Sequence, residues 1–181
     1  DVVAPTNTLW VGGDFTNAGG IAQAALARWN GIAWARPDYT PIGLTPTITF
    51  NGVGARVNAL TVYDPPDVPG ANDDPELIIA GTFTGVTVSA TTNYTINSAN
   101  ILKYGRKAET DAGDINVAPA LPVYQPRLLY ESMGGGTNGT VHALAVWDPP
   151  DVFGADSFLS MVVAGGDFTN AGGNPEGRIA A

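Results

Sequence analysis

Eleven residues, Trp10 to Gly20 (WVGGDFTNAGG), return almost unchanged as Val163 to Gly173 (VAGGDFTNAGG). A worn third version, Ile79 to Gly85 (IAGTFTG), lies between them and keeps the apolar lead-in, one glycine and the Phe-Thr pair. A chain that repeats itself at long spacing is built from like units packed side by side, so the repeat constrains the fold before any local propensity does. Other segments recur in step with it. Arg56 to Asp64 (RVNALTVYD) returns as Thr140 to Asp148 (TVHALAVWD), and the loop that follows, Pro65 to Asp73, returns as Pro149 to Asp156. From Phe15 to Phe83 is 68 residues and from Phe83 to Phe168 is 85, which divides the chain into repeat 1 (about 9–76), repeat 2 (about 77–158) and a partial repeat 3 (about 159–181) within one region, 1–181.

The units read as strands. Leu9 to Thr16 leads into the double glycine, and Ala24 to Trp29 returns. Asn30-Gly31, the pair with the strongest preference for a type I′ hairpin turn, closes the return against Ile32 to Arg36. Asp38 to Arg56 is looser, a strand with a decorated loop, and Val57 to Asp64 is a strong strand. In the second unit, Leu77 to Thr84 corresponds to Leu9 to Thr16, and Asn100 to Gly105 aligns with Ala25 to Asn30. Thr87 to Ser98 and Lys107 to Pro122 read as insertions, and Leu128 to Gly134 resumes the sheet. Gly and Pro recur too often for a helix of ten residues, so the predicted class is all-β.

With the insertions removed, each unit has a core of roughly 40 to 50 residues with four strands, the size of one propeller blade. Strands with one wet face alternate polar and apolar residues, whereas Ala143 to Trp147 and Ser160 to Ala164 are nearly continuous in apolar character. Such strands are expected to be covered on both faces, as a sheet packed between two others is.

The segments Gly12 to Gly20, Leu26 to Trp34, Val57 to Asp64, Val141 to Asp148 and Gly165 to Gly173 resemble the kelch-like and WD40-like β-propeller repeats of large exported bacterial surface proteins. The resemblance spans the chain. It implies blades of four antiparallel strands, about two full repeats plus the start of a third. Because a closed propeller takes at least about four blades, it also implies either a segment of a larger propeller or a fragment that assembles with further copies. Trp147-Asp148 departs from the WD40 pattern, having no Gly-His partner upstream, and the kelch spacing from the double glycine to Tyr and Trp is absent.

A net charge of −9 argues against a nucleic-acid partner, and no apolar run approaches 18 residues, so membrane insertion by a helix is not expected. The chain has no cysteine, which excludes disulfides and thiolate metal sites. Only 14% of residues are charged, so the polar surface is largely Thr, Asn, Ser and Gly, a composition that suits an extracellular or cell-surface protein.

Catalytic candidates are few. His142 is the only histidine and sits in an apolar strand, where a packing role is expected; no Ser/His/Asp triad, G-x-S-x-G elbow, P-loop or H-E-x-x-H is present. The chain is therefore not expected to be an enzyme or to carry a cofactor. The acidic loops offer one metal reading: Asp64, Asp67 and Asp73 in one loop and Asp148, Asp151 and Asp156 in its copy are hard oxygen donors of the kind calcium takes. The competing reading makes Asp64 and Asp148 turn caps and the others solvated. Asp14 and Asp167 read as repeated turn residues. Trp29, Trp34, Tyr104 and Tyr130 recur near strand ends, either as rings that stack on a sugar or as filling between sheets. Asn93 to Thr95 and Asn138 to Thr140 match the N-glycosylation sequon.

Three functions follow in order. The first is a non-catalytic propeller scaffold that engages proteins at the cell surface. The second is a lectin-like sugar binder, and the third a hydrolase carried on a propeller. Partners are expected to be protein or glycan, further blades of the same chain, or copies of itself. Specificity is expected in the segments that do not repeat: Asp38 to Gly54, Gly85 to Asn97 and Lys107 to Pro122.

Overall fold

The computed structural model describes residues 8–37, 47–64, 75–89, 93–107, 127–148 and 160–181, and every regular element within them is a β-strand. In chain order these are β1 (Leu9–Gly12), β2 (Asn17–Ala18), β3 (Ile21–Ala22), β4 (Leu26–Trp29), β5 (Trp34–Ala35), β6 (Thr47–Asn51), β7 (Arg56–Tyr63), β8 (Glu76–Thr82) and β9 (Gly85–Ser89). There follow β10 (Asn93–Ile96), β11 (Ile101–Lys107), β12 (Arg127–Ser132), β13 (Val141–Trp147), β14 (Met161–Gly166), β15 (Asn170–Ala171), β16 (Asn174–Pro175) and β17 (Ile179–Ala180). All strand pairs are antiparallel. The expected all-β class is what the chain adopts.

Three sheets carry the repeat: β1-β4-β5, β7-β8-β11-β12 and β13-β14-β17, the middle one a four-stranded meander. They are open sheets, and no closed barrel or ring is formed among the described residues. β7 is to β8 as β13 is to β14, so the hydrogen-bonded unit runs from Arg56 to Ser132, across the point near residue 76 where the sequence period was started. The ribbons β2-β3 and β15-β16 are the repeated Asn-Ala-Gly-Gly turns of the first and last sheets.

The repeated letters have a common geometry. Gly13, Gly81 and Gly166 each donate their amide to the carbonyl of Ala25, Asn100 or Arg178, at 3.0, 2.9 and 2.9 Å. The amides of Ala25, Asn100 and Arg178 in turn donate to the carbonyls of Phe15, Phe83 and Phe168, at 2.9, 2.9 and 3.1 Å. Among the described residues, Ala25, Asn100 and Arg178 are the ones other than glycine with positive φ, at 62°, 64° and 69°. Each sheet thus spends about 1–2 kcal/mol of left-handed strain to turn the chain back at one fixed place.

A β-bulge is repeated as well. The register slips between Val57 and Ala59 and between Val141 and Ala143, leaving Asn58 and His142 as the extra residues. The bulge presses a carbonyl onto the facing glycine: a Cβ on Gly81 would lie 2.1 Å from the oxygen of Arg56, and one on Gly166 2.1 Å from that of Thr140. At Gly81 and Gly166 the glycine of the Gly-x-Phe-Thr motif is therefore a steric requirement of the bulge.

The sheets stack in one sense. Gly12, Leu26 and Trp10 of the first sheet lie on Val57, Leu60, Leu102 and Tyr104 of the second, with the rings of Trp10 and Tyr104 5.4 Å apart. The opposite face of the second sheet, Ile78, Ala80 and Ile101, packs on Val141, Val162, Ala164 and Phe168 of the third. Consecutive residues Leu77, Ile78 and Ile79 are all buried, pointing alternately into the two clusters. Burying each such side chain contributes about 1.5–3 kcal/mol, which is why β8 lacks polar alternation. The covering expected on both faces holds for β8. It fails for β13, whose residues from His142 to Trp147 are mostly exposed, since among the described residues no sheet covers the outer face of the third.

Two local expectations differ from the structure. The Asn30-Gly31 hairpin forms, but Trp29 pairs with Trp34, so the loop has four residues and Gly31 alone takes positive φ. Asn30 Oδ1 accepts the amides of Ile32 and Ala33 at 3.0 and 2.9 Å, a cap that removes the need for a type I′ turn. The Thr/Asn-rich insertion, to which the sequence assigns no strand, lies largely in the hairpin β9-β10, which pairs with β6 to make a further sheet. Alternation in that sheet places Ile48, Phe50, Val86 and Val88 inward, where they join the core beside Phe83, and leaves Thr47 and Thr49 outward.

Candidate functional site

The aromatic candidates fall into two equivalent cross-strand pairs. Trp29 faces Trp34 in the first sheet, and Tyr104 faces Tyr130 in the second, with ring centroids 5.5 and 4.8 Å apart. Their surroundings differ. Tyr104 and Tyr130 are buried beneath the first sheet and the inserted one, where they act as core. The Tyr130 hydroxyl is fully buried and has no hydrogen-bond partner. Burial first, then the neighbouring Tyr104 and Tyr94 hydroxyls, push its pKa well above the ordinary tyrosine value. Trp29 and Trp34 are half-buried, with Trp34 laid over the Gly19 turn so closely that a Cβ on Gly19 would lie 2.1 Å from the ring. Of the four, only this pair offers an aromatic face to solvent.

Of the acidic candidates, Asp64 and Asp148 are exposed at the ends of β7 and β13, and Asp67, Asp73, Asp151 and Asp156 lie outside the described residues. Among the described residues no three carboxylate or imidazole groups come together as a cation would need. Glu76, at the end of the first acidic loop, is engaged instead by Lys103, at 2.7 Å, and Glu131 holds the same ammonium at 3.3 Å. Burial lowers the Lys103 pKa, but hydrogen bonding and charge from Glu76, followed by Glu131, outweigh it and leave the pKa raised.

His142 is not the packing residue its apolar neighbours suggest. The bulge turns it outward, and its Nε2 lies 2.7 Å from Asp167 Oδ2, with Arg178 3.7 Å from the other carboxylate oxygen. The hydrogen bond from His142, then its charge, hold the Asp167 carboxyl below the usual aspartate value. The Asp167 amide donates to Thr140 O at 2.8 Å, so the repeated aspartate does serve its turn. The imidazole and the carboxylate form a hydrogen-bonded pair at the surface.

Two further motifs have structural roles. Asn138 Oδ1 accepts the amides of Thr169 and Asn170 at 2.9 and 3.0 Å, and its Nδ2 donates to Thr169 Oγ1. That sequon asparagine is committed to holding the last repeated turn, while Asn93 is exposed on β10. In Gly134 to Gly136 the amides of Gly135 and Gly136 are bonded to Ser132 and Met133, and a Cβ on Gly136 would meet the Ala99 oxygen.

The feature that single-residue reading missed is an apolar sheet face. In the third sheet, the positions equivalent to buried Ile78, Ala80 and Ile101 are Val163, Gly165 and Ile179; Ile179 is 64% exposed where Ile101 is 6%. Ala143, Ala145 and Trp147 extend the same face, with Trp147 51% exposed. At the other end of the stack Leu9, equivalent to buried Leu77, is 59% exposed. Alternation along the aligned repeats carries the signal, because it assigns each residue a face before its cover is known. Compared with protein-family models, with curated proteins and with solved structures, the chain matches none.

Proposed function

We propose that the chain is a non-catalytic β-propeller-type scaffold of an extracellular or cell-surface protein, which acts by presenting surfaces to partners. The observation that carries this reading is the one-directional stacking of three like sheets. The β7 strand lies beside β13, its equivalent in the third sheet, and on its other side beside β1 of the first, so each sheet meets the next in the same order, as blades do around an axis. The middle sheet has a blade's four strands in sequence order, and its decoration, β6 with β9-β10, is appended without interrupting the meander. A surface poor in charge and a chain without cysteine fit a binding role outside the cell.

The half-open Trp29 and Trp34 pair favours a second reading, a lectin-like propeller in which a sugar stacks on the rings. A glycan array probed with the labelled chain decides between the two. The scaffold reading expects no sugar to be retained more strongly than by the Trp29→Ala and Trp34→Ala chains, with folding of both checked by circular dichroism. A sugar held by the native chain and released by these substitutions transfers the function to the lectin reading.

A further inference from the structure

We infer that the exposed face of the β13-β14-β17 sheet docks the exposed face of the β1-β4-β5 sheet of a second copy of this chain, so that copies add head to tail. The chain itself shows what covers such a face. In the second sheet, Ile78, Ala80 and Ile101 are covered by the third; in the first, Trp10, Gly12 and Leu26 are covered by the second. Both junctions join the same two kinds of face. The recess at the glycine shows how close the approach is: a Cβ on Gly12 would lie 2.4 Å from Val57 Cγ1, whereas its equivalent Gly165 has nothing nearer than Arg178 O at 3.9 Å. The third sheet thus offers the shape of a junction, lined by Ala145, Trp147, Val163 and Ile179, that no described sheet covers.

The matching face lies at the opposite end of the same molecule. Leu9, Val11, Phe15 and Trp29 occupy the positions of Leu77, Ile79, Phe83 and Tyr104, all four of which are buried in the second sheet and all four of which are partly or largely exposed in the first; Ala27, opposite Val11 at the position of Leu102, is buried as Leu102 is, so the open part of the face is its Leu9–Trp29 end. The two end faces are different patches, so the contact is heterologous and leaves a free end after each addition. The proposal deepens the stacked-repeat reading, on which it rests, by naming the partner and the two faces. It does not depend on whether the Trp29 and Trp34 pair binds sugar.

Sedimentation equilibrium of the 181-residue chain at about 0.15 M salt, where the repulsion between two acidic copies is screened beyond roughly 8 Å, is the test. The expected result is a weight-average mass that rises with concentration from 18.6 kDa. Trp147→Glu with Ile179→Glu blocks one face, and Leu9→Glu with Val11→Glu the other. Each double variant alone should stay at 18.6 kDa, with association weakened at least tenfold, and an equimolar mixture should reform a 1:1 dimer that grows no further. Trp147, Ile179 and Leu9 are exposed, so single substitutions at these three sites keep the test available if a double variant fails to fold. A native chain that sediments as a monomer at every concentration overturns the inference, as does a mixture that does not pair. Sugar retention on the array would instead count against the scaffold reading alone.

Discussion

Replacing Gly81 by alanine tests whether the bulge dictates the glycine motif. The new Cβ would sit 2.1 Å from Arg56 O and 2.9 Å from Val57 Cα, both backbone atoms of the paired strand β7. Relief requires β7 and β8 to part where they are flanked by Val57 and Ala80, both buried. Gly81 does not take positive φ, so no backbone strain adds to the clash. Overpacking of this kind costs about 3 kcal/mol, less about 0.5 kcal/mol recovered from the smaller entropy of the unfolded chain. With a urea slope of about 2 kcal/mol per molar for a chain of this size, the midpoint should fall by roughly 1.2 M. Gly166→Ala meets the same atoms of Thr140 and Val141 and should fall equally. Gly13 is the control, because its Cβ would meet only the half-exposed Phe15 ring, at 3.1 Å, and Gly13→Ala should shift the midpoint by under about 0.3 M. Tryptophan fluorescence during urea titration measures all three. If Gly81→Ala unfolds with the native chain, or if Gly13→Ala loses as much as Gly81→Ala, the bulge does not dictate the glycine.

Asn100 combines a left-handed backbone with two buried bonds: its Oδ1 accepts from Phe83 N at 3.2 Å and its Nδ2 donates to Thr137 O at 2.9 Å. Asn100→Ala should cost about 3 kcal/mol by chemical denaturation, and Asn100→Gly about 1 kcal/mol less, since glycine accepts the φ that alanine resists. Tyr130→Phe removes a buried hydroxyl without a partner and should leave stability unchanged or raise it by up to about 1 kcal/mol in the same assay. The Asp167 carboxyl, titrated by NMR, should rise toward the ordinary aspartate value in His142→Ala, with the smaller pull of Arg178 remaining. Because its folded pKa is depressed, its contribution to stability is present above the unfolded value and lost as pH falls through the folded one, and His142→Ala should abolish that part of the acid transition.

Most of the repeat was legible because its letters are backbone requirements. Gly81 and Gly166 answer a bulge, and Phe83 and Phe168 mark the point where the chain leaves the strand for the core, so each recurs wherever the geometry does. The positive φ at Ala25, Asn100 and Arg178 left no such trace, because three different residues tolerate it and a backbone role does not select among them. The pairing of β6 with β9 was hidden for a different reason. It joins two segments of unrelated sequence, Thr47–Asn51 and Gly85–Ser89, neither of which carries information about the other. Among the aromatics, the sequence placed Trp29, Trp34, Tyr104 and Tyr130 near strand ends, but their exposure depends on which sheet lies above, and that is a property of the stack. His142 was misread because a strand bulge is invisible in a run of apolar neighbours.

The appended β6-β9-β10 sheet gives the chain an order of assembly. Joining Asn51 directly to Gly85 closes a loop of about 35 residues at a cost near 3 kcal/mol, but once β7 and β8 have zipped, the remaining gap is about ten residues and the cost about 2 kcal/mol. The local β7-β8 and β9-β10 hairpins therefore form ahead of β6, which is fastened last onto a template already made. Changes in Thr47–Asn51 accordingly act on the rate at which the fold comes apart and leave the rate at which it begins to form untouched.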